Sequence, residues 1–279
     1  MTDSRLTPAT GRIALDSLRG RLDRPAYTAG RPARLAVPLA DLLREPGGKR
    51  DRLVNFGADV TVIDSRDGFS FVQAALDGYC GWLRDDTLAE DAAQITHRVT
   101  APATHVYPGP DLKLPETAGL SLGARVSVIG TQGRFARLGS GGWVPMMHLG
   151  AEPATDPAAV ALSLLGTPYL WGGNSRWGID CSGLAQGALA ACAIACPGDS
   201  DMQEKAFPAV TEIRRGDLLF WPGHVAMALD DRQMVHATAN VMAVTVEPID
   251  DAIARIEAQG EGPFLGARRP GPAGKAAFP

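Results

Sequence analysis

Residues 57–83 and 123–144 read as one unit written twice, and a duplication of this kind restricts the fold more than any other feature of the chain. The first copy runs Gly57-Ala-Asp-Val-Thr-Val-Ile-Asp, then Asp67-Gly-Phe-Ser-Phe-Val, then Gly81-Trp-Leu. The second runs Gly123-Ala-Arg-Val-Ser-Val-Ile-Gly, then Gln132-Gly-Arg-Phe-Ala-Arg-Leu, then Gly142-Trp-Val. The leading glycines are 66 residues apart and the Gly-Trp pairs 61, so the second copy has the shorter loop. Apolar residues alternate within each copy, which reads as strand, turn, strand, turn, strand and suits a small half-open β-barrel. A solenoid needs about three repeats, so tandem small barrels are the expectation. Trp82 and Trp143 are expected to plug the two barrel cores.

A chain of 279 residues has room for about two domains, and 45% apolar residues is ordinary for a globular protein. A formal charge of -4 leaves no overall basic field to attract nucleic acid or an anionic membrane, so neither is an expected partner. No stretch approaches the roughly 18 consecutive apolar residues of a membrane span. Residues 1–30 are studded with Asp, Arg and Thr rather than carrying the apolar core of a leader, which places the expected location in the cytoplasm. Residues 1–32 form an Arg-rich lead-in with one short helix expected over 13–22. The barrels are expected at 33–92 and 97–150, and a third domain at 151–279. The tail from 271, rich in Pro, Gly and Ala, is expected to be flexible.

That third domain opens on a helix: Asp156 is a candidate N-cap, Pro157 suits the first helical position, and residues 160–165 supply the apolar stripe. Apolar strand patterns follow at 217–221, 224–229, 233–237 and 241–246. The fold class is α+β, with a helix packed on an antiparallel sheet.

The densest chemical information lies between Thr167 and Leu184, where Tyr169, Trp171, Trp177 and several glycines precede Asp180-Cys181-Ser182-Gly183. Cys181 opens an Ala-rich helix, so its sulfur faces unsatisfied backbone N–H groups and the positive end of the helix dipole; both are expected to lower its pKa. A thiol nucleophile needs a proton acceptor that can later protonate a leaving amine, and histidine titrates in the useful range. His224 and His236 lie on consecutive predicted strands separated by the Asp230-Asp231-Arg232 turn. An odd loop, of three residues for example, puts both side chains on one face of the sheet; a two-residue loop without a bulge puts them on opposite faces. Cys181 as nucleophile, His224 as base and His236 as orienting group make a generalised triad. The Cys181 N–H and the Tyr169 hydroxyl are candidates to stabilise an oxyanion. The other cysteines, Cys80, Cys192 and Cys196, are expected to be reduced and packed, the last two on one face of a helix over 184–195. No C-x-x-C pair occurs, so no zinc site is expected, and His97, His105 and His148 read as structural.

Pro168-Tyr169-x-Trp171-Gly172-Gly173, Asp180-Cys181-Ser182-Gly183-Leu184, Arg215-Gly216-Asp217-Leu218, Gly223-His224-Val225 and Val235-His236-Ala237 together resemble the NlpC-type family of cell-wall cysteine peptidases. The resemblance implies a papain-like domain preceded by two small SH3-like β-barrels, and hydrolysis of γ-D-glutamyl-diamino-acid bonds in murein peptides without metal or organic cofactor. It points to the subgroup acting on tripeptides and tetrapeptides with an unblocked L-Ala, in murein peptide recycling. Carried over by position, Tyr169, Trp171, Asp180 and Ser182 would line the site. Asp199 and Ser200 resemble the family's Arg-Asp-Ser/Ala-x-x-Gln substrate segment, with Gly198 in place of its arginine. Glu45 and Tyr79 of the first barrel resemble the residues that grip the substrate's amine, and a carboxylate and a phenol suit an ammonium. Two other readings stay open: a muropeptide-binding protein with an inactive domain, and an amidase or acyltransferase using the same Cys-His site.

Overall fold

The computed structural model describes residues 3–90 and 93–271. They form two compact units: the chain up to Val99 together with Ala103–Leu149, and Thr100–Pro102 together with the chain from Gly150 onward. The expected barrel boundary at 92 and the tail from 272 to 279 lie outside the described residues.

In the N-terminal unit the two copies have the same element order. The first contributes strands Asp59–Arg66, Phe69–Ala74 and Cys80–Arg84; the second contributes Val128–Gln132, Phe135–Leu138 and Trp143–Pro145. Each Gly-Trp strand runs into a 3-10 turn, Asp85–Thr87 or Met146–His148, and then a two-residue strand, Leu88–Ala89 or Leu149–Gly150. The first copy belongs to a seven-stranded sheet in the order Arg50–Asn55, Leu39–Leu43, Cys80–Arg84, Phe69–Ala74, Asp59–Arg66, Arg31–Leu35, Leu88–Ala89. Its Asp67-Gly68 turn has both residues at positive φ, the conformation that matches the twist of a tight hairpin.

The two tryptophans are not equivalent. Trp82 is 5% exposed and packs with Ile63, Phe71 and Cys80, as expected. Trp143 does not fill a core: in Trp143–Pro145 the inward position falls on Val144, and the indole is left half-buried beside a core of Val99, Leu120, Val126, Leu138 and Val144. The copies are joined directly. Phe56 packs on that second core, Arg125 N–H donates to Phe56 O at 2.9 Å, and Asp59 is bridged by Arg34 at 2.8 Å and Arg125 at 2.6 Å. Gly57 is required there, because a Cβ would sit 2.0 Å from Arg125 O.

The helix expected over 13–22 is absent. Ile13–Leu15 is a strand paired in parallel with Ala26–Thr28, followed by a 3-10 turn at Asp16–Leu18. Ile13 and Leu15 are two apart, and both pack against the Trp82 cluster, so the period is that of a strand. Gly20 at φ 79° then prevents helical continuation.

The C-terminal unit is an α+β layer structure. Its six-stranded sheet runs Ala209–Val210, Gly266–Arg268, Leu218–Trp221, His224–Ala228, Gln233–Thr238, Ala243–Pro248, with antiparallel pairing throughout. Helix α1 (Pro157–Ser163) starts as expected: Asp156 accepts from the N–H groups of Ala158 and Ala159 at 3.0 and 3.2 Å, with Pro157 in the first turn. Helices α1 and α2 (Cys181–Ala191) pack on the strands His224–Ala228 and Gln233–Thr238. Helix α3 (Ser200–Ala206) adjoins α2, and α4 (Ile249–Ala258) buries Ile249, Ala252 and Ile256 on Leu219, Trp221, Ala226, Ala228 and Met234. The fourth expected strand begins at Ala243 rather than 241, since residues 239–242 make a turn with Met242 at φ 54°. No helix of the described residues is long and apolar enough to cross a membrane.

Cys192 and Cys196 do not share a helix face, because α2 ends before both. Cys192 is the C-cap, Ala193 turns left-handed at φ 57°, and the N–H groups of Ala193 and Ile194 donate back to Ala190 O and Leu189 O at 3.1 and 2.9 Å. This pair of bonds is a Schellman motif with alanine where glycine is usual. All four cysteines are reduced. Ala193→Gly relieves the left-handed strain and is expected to stabilise the C-terminal unit by about 1 kcal/mol, read as an upward shift of its chemical-denaturation midpoint; an unchanged or lower midpoint contradicts the strain.

Candidate active site

Asp180 sets the position of Cys181. Its Oδ1 accepts from the Gly183 N–H at 2.7 Å and from Ser182 Oγ at 2.9 Å, capping α2, and its Oδ2 accepts from the Gly172 N–H at 2.8 Å. One carboxylate therefore holds the first turn of α2 against the Gly172-Gly173 loop. Gly183 permits that approach: a Cβ would lie 2.3 Å from both Gly173 O and Asn174 Oδ1. Gln203 braces the same turn, with Nε2 donating to Ser182 O and Pro197 O, each at 3.0 Å.

The sheet opens where the thiol sits. The register pairing Met227 with Val235 would next direct the Val225 N–H to Ala237 O, but the pairing of these two strands ends at Met227. The backbone N–H groups of Val225, Ser182 and Cys181 itself lie close enough to the Cys181 sulfur to lower its pKa. The Cys181 thiol thus lies beside the residue that follows His224.

Residues 230–232 form a three-residue hairpin loop, closed by the Leu229 N–H on Gln233 O at 2.8 Å. Its odd length puts His224 and His236 on one face. The imidazoles meet with Nε2 of His224 2.9 Å from Nδ1 of His236, ring centroids 5.1 Å apart. Trp221 packs against His224 at 5.8 Å between centroids. His236 is fully buried, and its Nε2 lies 3.2 Å from Glu247 Oε2.

Electrostatics differ from the sequence expectation. Burial, then the Asp180 carboxylate, pushes the Cys181 thiol up to about 12; the three backbone N–H groups act in the opposite, expected direction but are outweighed. Burial, then His236 and Arg255, takes His224 down to about 3. Burial takes His236 down to about 4 against the pull of Glu247. Each shift favours the neutral form, of the thiol and of both imidazoles.

The other expected site residues fall in three groups. Tyr169 is half-buried; burial, then Cys181 and Asp180, raises its phenol pKa, which sets it near the nucleophile. Trp171 is 68% exposed on the Gly172 loop. Asp199 and Ser200 are half-buried at the start of α3, where Asp199 occupies the N-cap position without a side-chain capping bond. Glu45 and Tyr79 belong to the N-terminal unit: Glu45 is exposed in the loop after Leu39–Leu43, whereas Tyr79 is 3% exposed, with the Arg52 guanidinium 4.9 Å from its ring centre. Arg52 in turn pairs with buried Asp77 at 2.7 Å. Sequence reasoning missed Glu247 and Arg255, which reach His236 only through strand register and helix packing. Gln203 was signalled by the Asp-Ser-x-x-Gln pattern, yet its bracing role was not.

Residues 166–257 match the NlpC/P60 family and residues 42–88 the bacterial dipeptidyl-peptidase Sh3 domain. The chain carries an NlpC/P60 domain. It follows a bacterial dipeptidyl-peptidase SH3 domain in the sequence, and the family is one of cell-wall cysteine peptidases. Dipeptidyl-peptidase 6 of Lysinibacillus sphaericus is 41% identical over 95 residues, 33% of this chain and 35% of that protein. Gamma-D-glutamyl-L-lysine dipeptidyl-peptidase of Bacillus cereus is 27% identical over 229 residues, 70% of this chain and 69% of that protein. The match thus spans about a third of the first relative's length and about two thirds of the second's. The crystal structure of an NlpC/P60 family protein from Bacillus cereus superposes with a TM-score of 0.73 at 22% identity, covering 86% of this chain and 99% of that one, a likeness of fold.

The neutral imidazoles of the NlpC/P60 domain have a consequence for stability. The native state keeps His224 and His236 unprotonated, whereas the unfolded chain protonates each near pH 6.5. Below that pH the unfolded state binds more protons, so their contribution is complete above about 6.5 and is lost as pH falls toward the folded values of about 4 and about 3. Denaturation curves between pH 7 and 4.5 are expected to show His236→Gln losing less stability than wild type, by about 1.4 kcal/mol per pH unit. Parallel curves contradict a neutral buried His236.

Proposed function

We propose that the protein is a cysteine peptidase that hydrolyses the γ-D-glutamyl-diaminopimelate bond of murein peptides bearing a free N-terminal L-Ala, in murein peptide recycling. The observation that carries the reading is the 2.9 Å contact between His224 Nε2 and His236 Nδ1, with the Cys181 thiol beside Val225, the residue after His224.

His224 engages His236 through Nε2, so Nδ1 is the nitrogen that serves the thiol. The sulfur of Cys181 attacks the γ-carbonyl carbon as its proton passes to His224 Nδ1, a coupled transfer suited to a neutral resting pair. The tetrahedral oxyanion takes hydrogen bonds from the Cys181 N–H and the Tyr169 hydroxyl. Collapse breaks the C–N bond, His224 gives its proton to the departing amine, and a thioester remains. Water, deprotonated by His224, then releases L-Ala-D-Glu and returns the proton to sulfur. Asp180 and Ser182 hold the nucleophile's turn, while Trp171, Asp199 and Ser200 are assigned to the peptide.

The γ-D-glutamyl bond and the dipeptide product are supported by the names of the two relatives. Recognition of a free amine is assigned to Glu45, which is exposed and falls within the region similar to a dipeptidyl-peptidase Sh3 domain, and not to Tyr79, which is 3% exposed. A carboxylate favours a protonated amine over a capped one.

The test incubates the protein with L-Ala-γ-D-Glu-meso-diaminopimelate, its L-lysine counterpart and the N-acetylated forms, with products read by mass spectrometry. Release of L-Ala-D-Glu from the uncapped diaminopimelate peptide is expected, with at least a 10³-fold loss in Cys181→Ala and roughly a tenfold loss of kcat/KM in Glu45→Gln. Cleavage of capped and uncapped peptides alike contradicts the amine reading. Cleavage of none contradicts the peptidase reading and favours a binding module.

A further inference from the structure

Behind His236 the site continues into two charged residues that the triad does not use. On the strand Ala243–Pro248, Thr245 lies opposite His236 and Glu247 opposite Met234, so Glu247 is the diagonal neighbour of His236 on the same face. Helix α4 covers that face and supplies Arg255, whose Nε and Nη2 donate to Glu247 Oε1 and Oε2 at 2.9 and 2.8 Å. This fork, itself steadied by Arg255 Nη1 on Gln259 Oε1 at 3.1 Å, fixes the carboxylate in place. Glu247 Oε2 is then 3.2 Å from His236 Nε2, a fully buried ring nitrogen with no well-aligned hydrogen-bond partner among the described residues.

A neutral imidazole carries one proton on one of two nitrogens, and a carboxylate only accepts. A carboxylate beside His236 Nε2 therefore favours the proton there, which leaves Nδ1 as an acceptor. The 2.9 Å contact must then be donated by His224 Nε2–H, which leaves His224 Nδ1 as an acceptor for the thiol proton. With the opposite proton on His236, Nδ1–H would donate to His224 Nε2, the His224 proton would be forced onto Nδ1, and no base would face Cys181. The polarity of the whole chain is decided at its far end.

We propose that Glu247, locked by Arg255, is a positioning residue that fixes the proton on His236 Nε2 and so selects the His224 tautomer able to accept the Cys181 proton. The proposal rests on the peptidase reading for its consequence in rate, but not for its consequence in protonation, and the two are tested separately.

The first measurement is ¹⁵N NMR of the histidine-labelled full chain, wild type against Glu247→Gln, which keeps the shape and removes the charge. Wild type is expected to show His236 and His224 each as a single Nε2–H tautomer; Glu247→Gln is expected to show a mixed population at His236. The second is the pH profile of peptide hydrolysis. The groups facing His236 are His224, Glu247 and Arg255, and of these only the carboxylate favours the charged imidazole. Its loss is expected to lower kcat by roughly tenfold or more and to move the acidic limb of kcat/KM to lower pH, while KM changes little. Arg255→Gln, which unlocks the carboxylate without removing it, is expected to give an intermediate profile. A merely structural contact would lower the thermal midpoint and leave tautomers and limb unmoved, and that result overturns the proposal. Should the wild type cleave no peptide, the NMR comparison still decides whether Glu247 sets the tautomer.

Discussion

The Asp180 carboxylate is the contact on which the rest of the site depends. It caps α2 through Gly183, holds Ser182, and reaches across to the Gly172 N–H, so helix start and aromatic loop are fixed by a single side chain. That arrangement puts the first residue of the helix beside Val225, where the pairing of His224–Ala228 with Gln233–Thr238 has ended. Burial, and after it the same charge, raises the thiol pKa, so the group that positions Cys181 also favours its protonated form. Helix N–H groups and dipole favour a thiolate, but desolvation is the larger effect in a site closed this tightly.

The sheet explains why two strands suffice to bring the two imidazoles together. A three-residue loop preserves parity, so His224 and His236 share a face, and the pairing of the two strands ends at Met227, two residues from Val225, which lies beside the sulfur. Ladder geometry accounts for the alignment of three side chains from a helix and a hairpin.

Much of this was legible in the sequence because it is encoded in short-range patterns. Asp156-Pro157 marks a helix start, the duplicated Gly-Trp strands mark a repeated order of elements, and the Asp230-Asp231-Arg232 turn sets the parity of the histidines. What was not legible depends on packing. Ile13 and Leu15 satisfy a helical reading until the Trp82 cluster makes them alternate. Cys192 and Cys196 have helical spacing, but Ala193 turns left-handed between them. Tyr79 carries a polar tip suited to an exposed site, yet the Arg52–Asp77 pair lies among the groups that enclose it. Glu247 is eleven residues from His236, and only the strand register makes them neighbours. The sign of the Cys181 shift depended on the depth of burial, which no local pattern states.

Trapping the covalent intermediate tests the central claim most directly. L-Ala-γ-D-Glu-meso-diaminopimelate would be mixed with the protein, quenched in acid on the millisecond scale and mapped by peptide mass spectrometry. An L-Ala-γ-D-Glu adduct on Cys181, absent from Cys80, Cys192 and Cys196 and decaying as free dipeptide accumulates, is the predicted result. Turnover with no adduct at Cys181, or an adduct on another cysteine, would contradict the account.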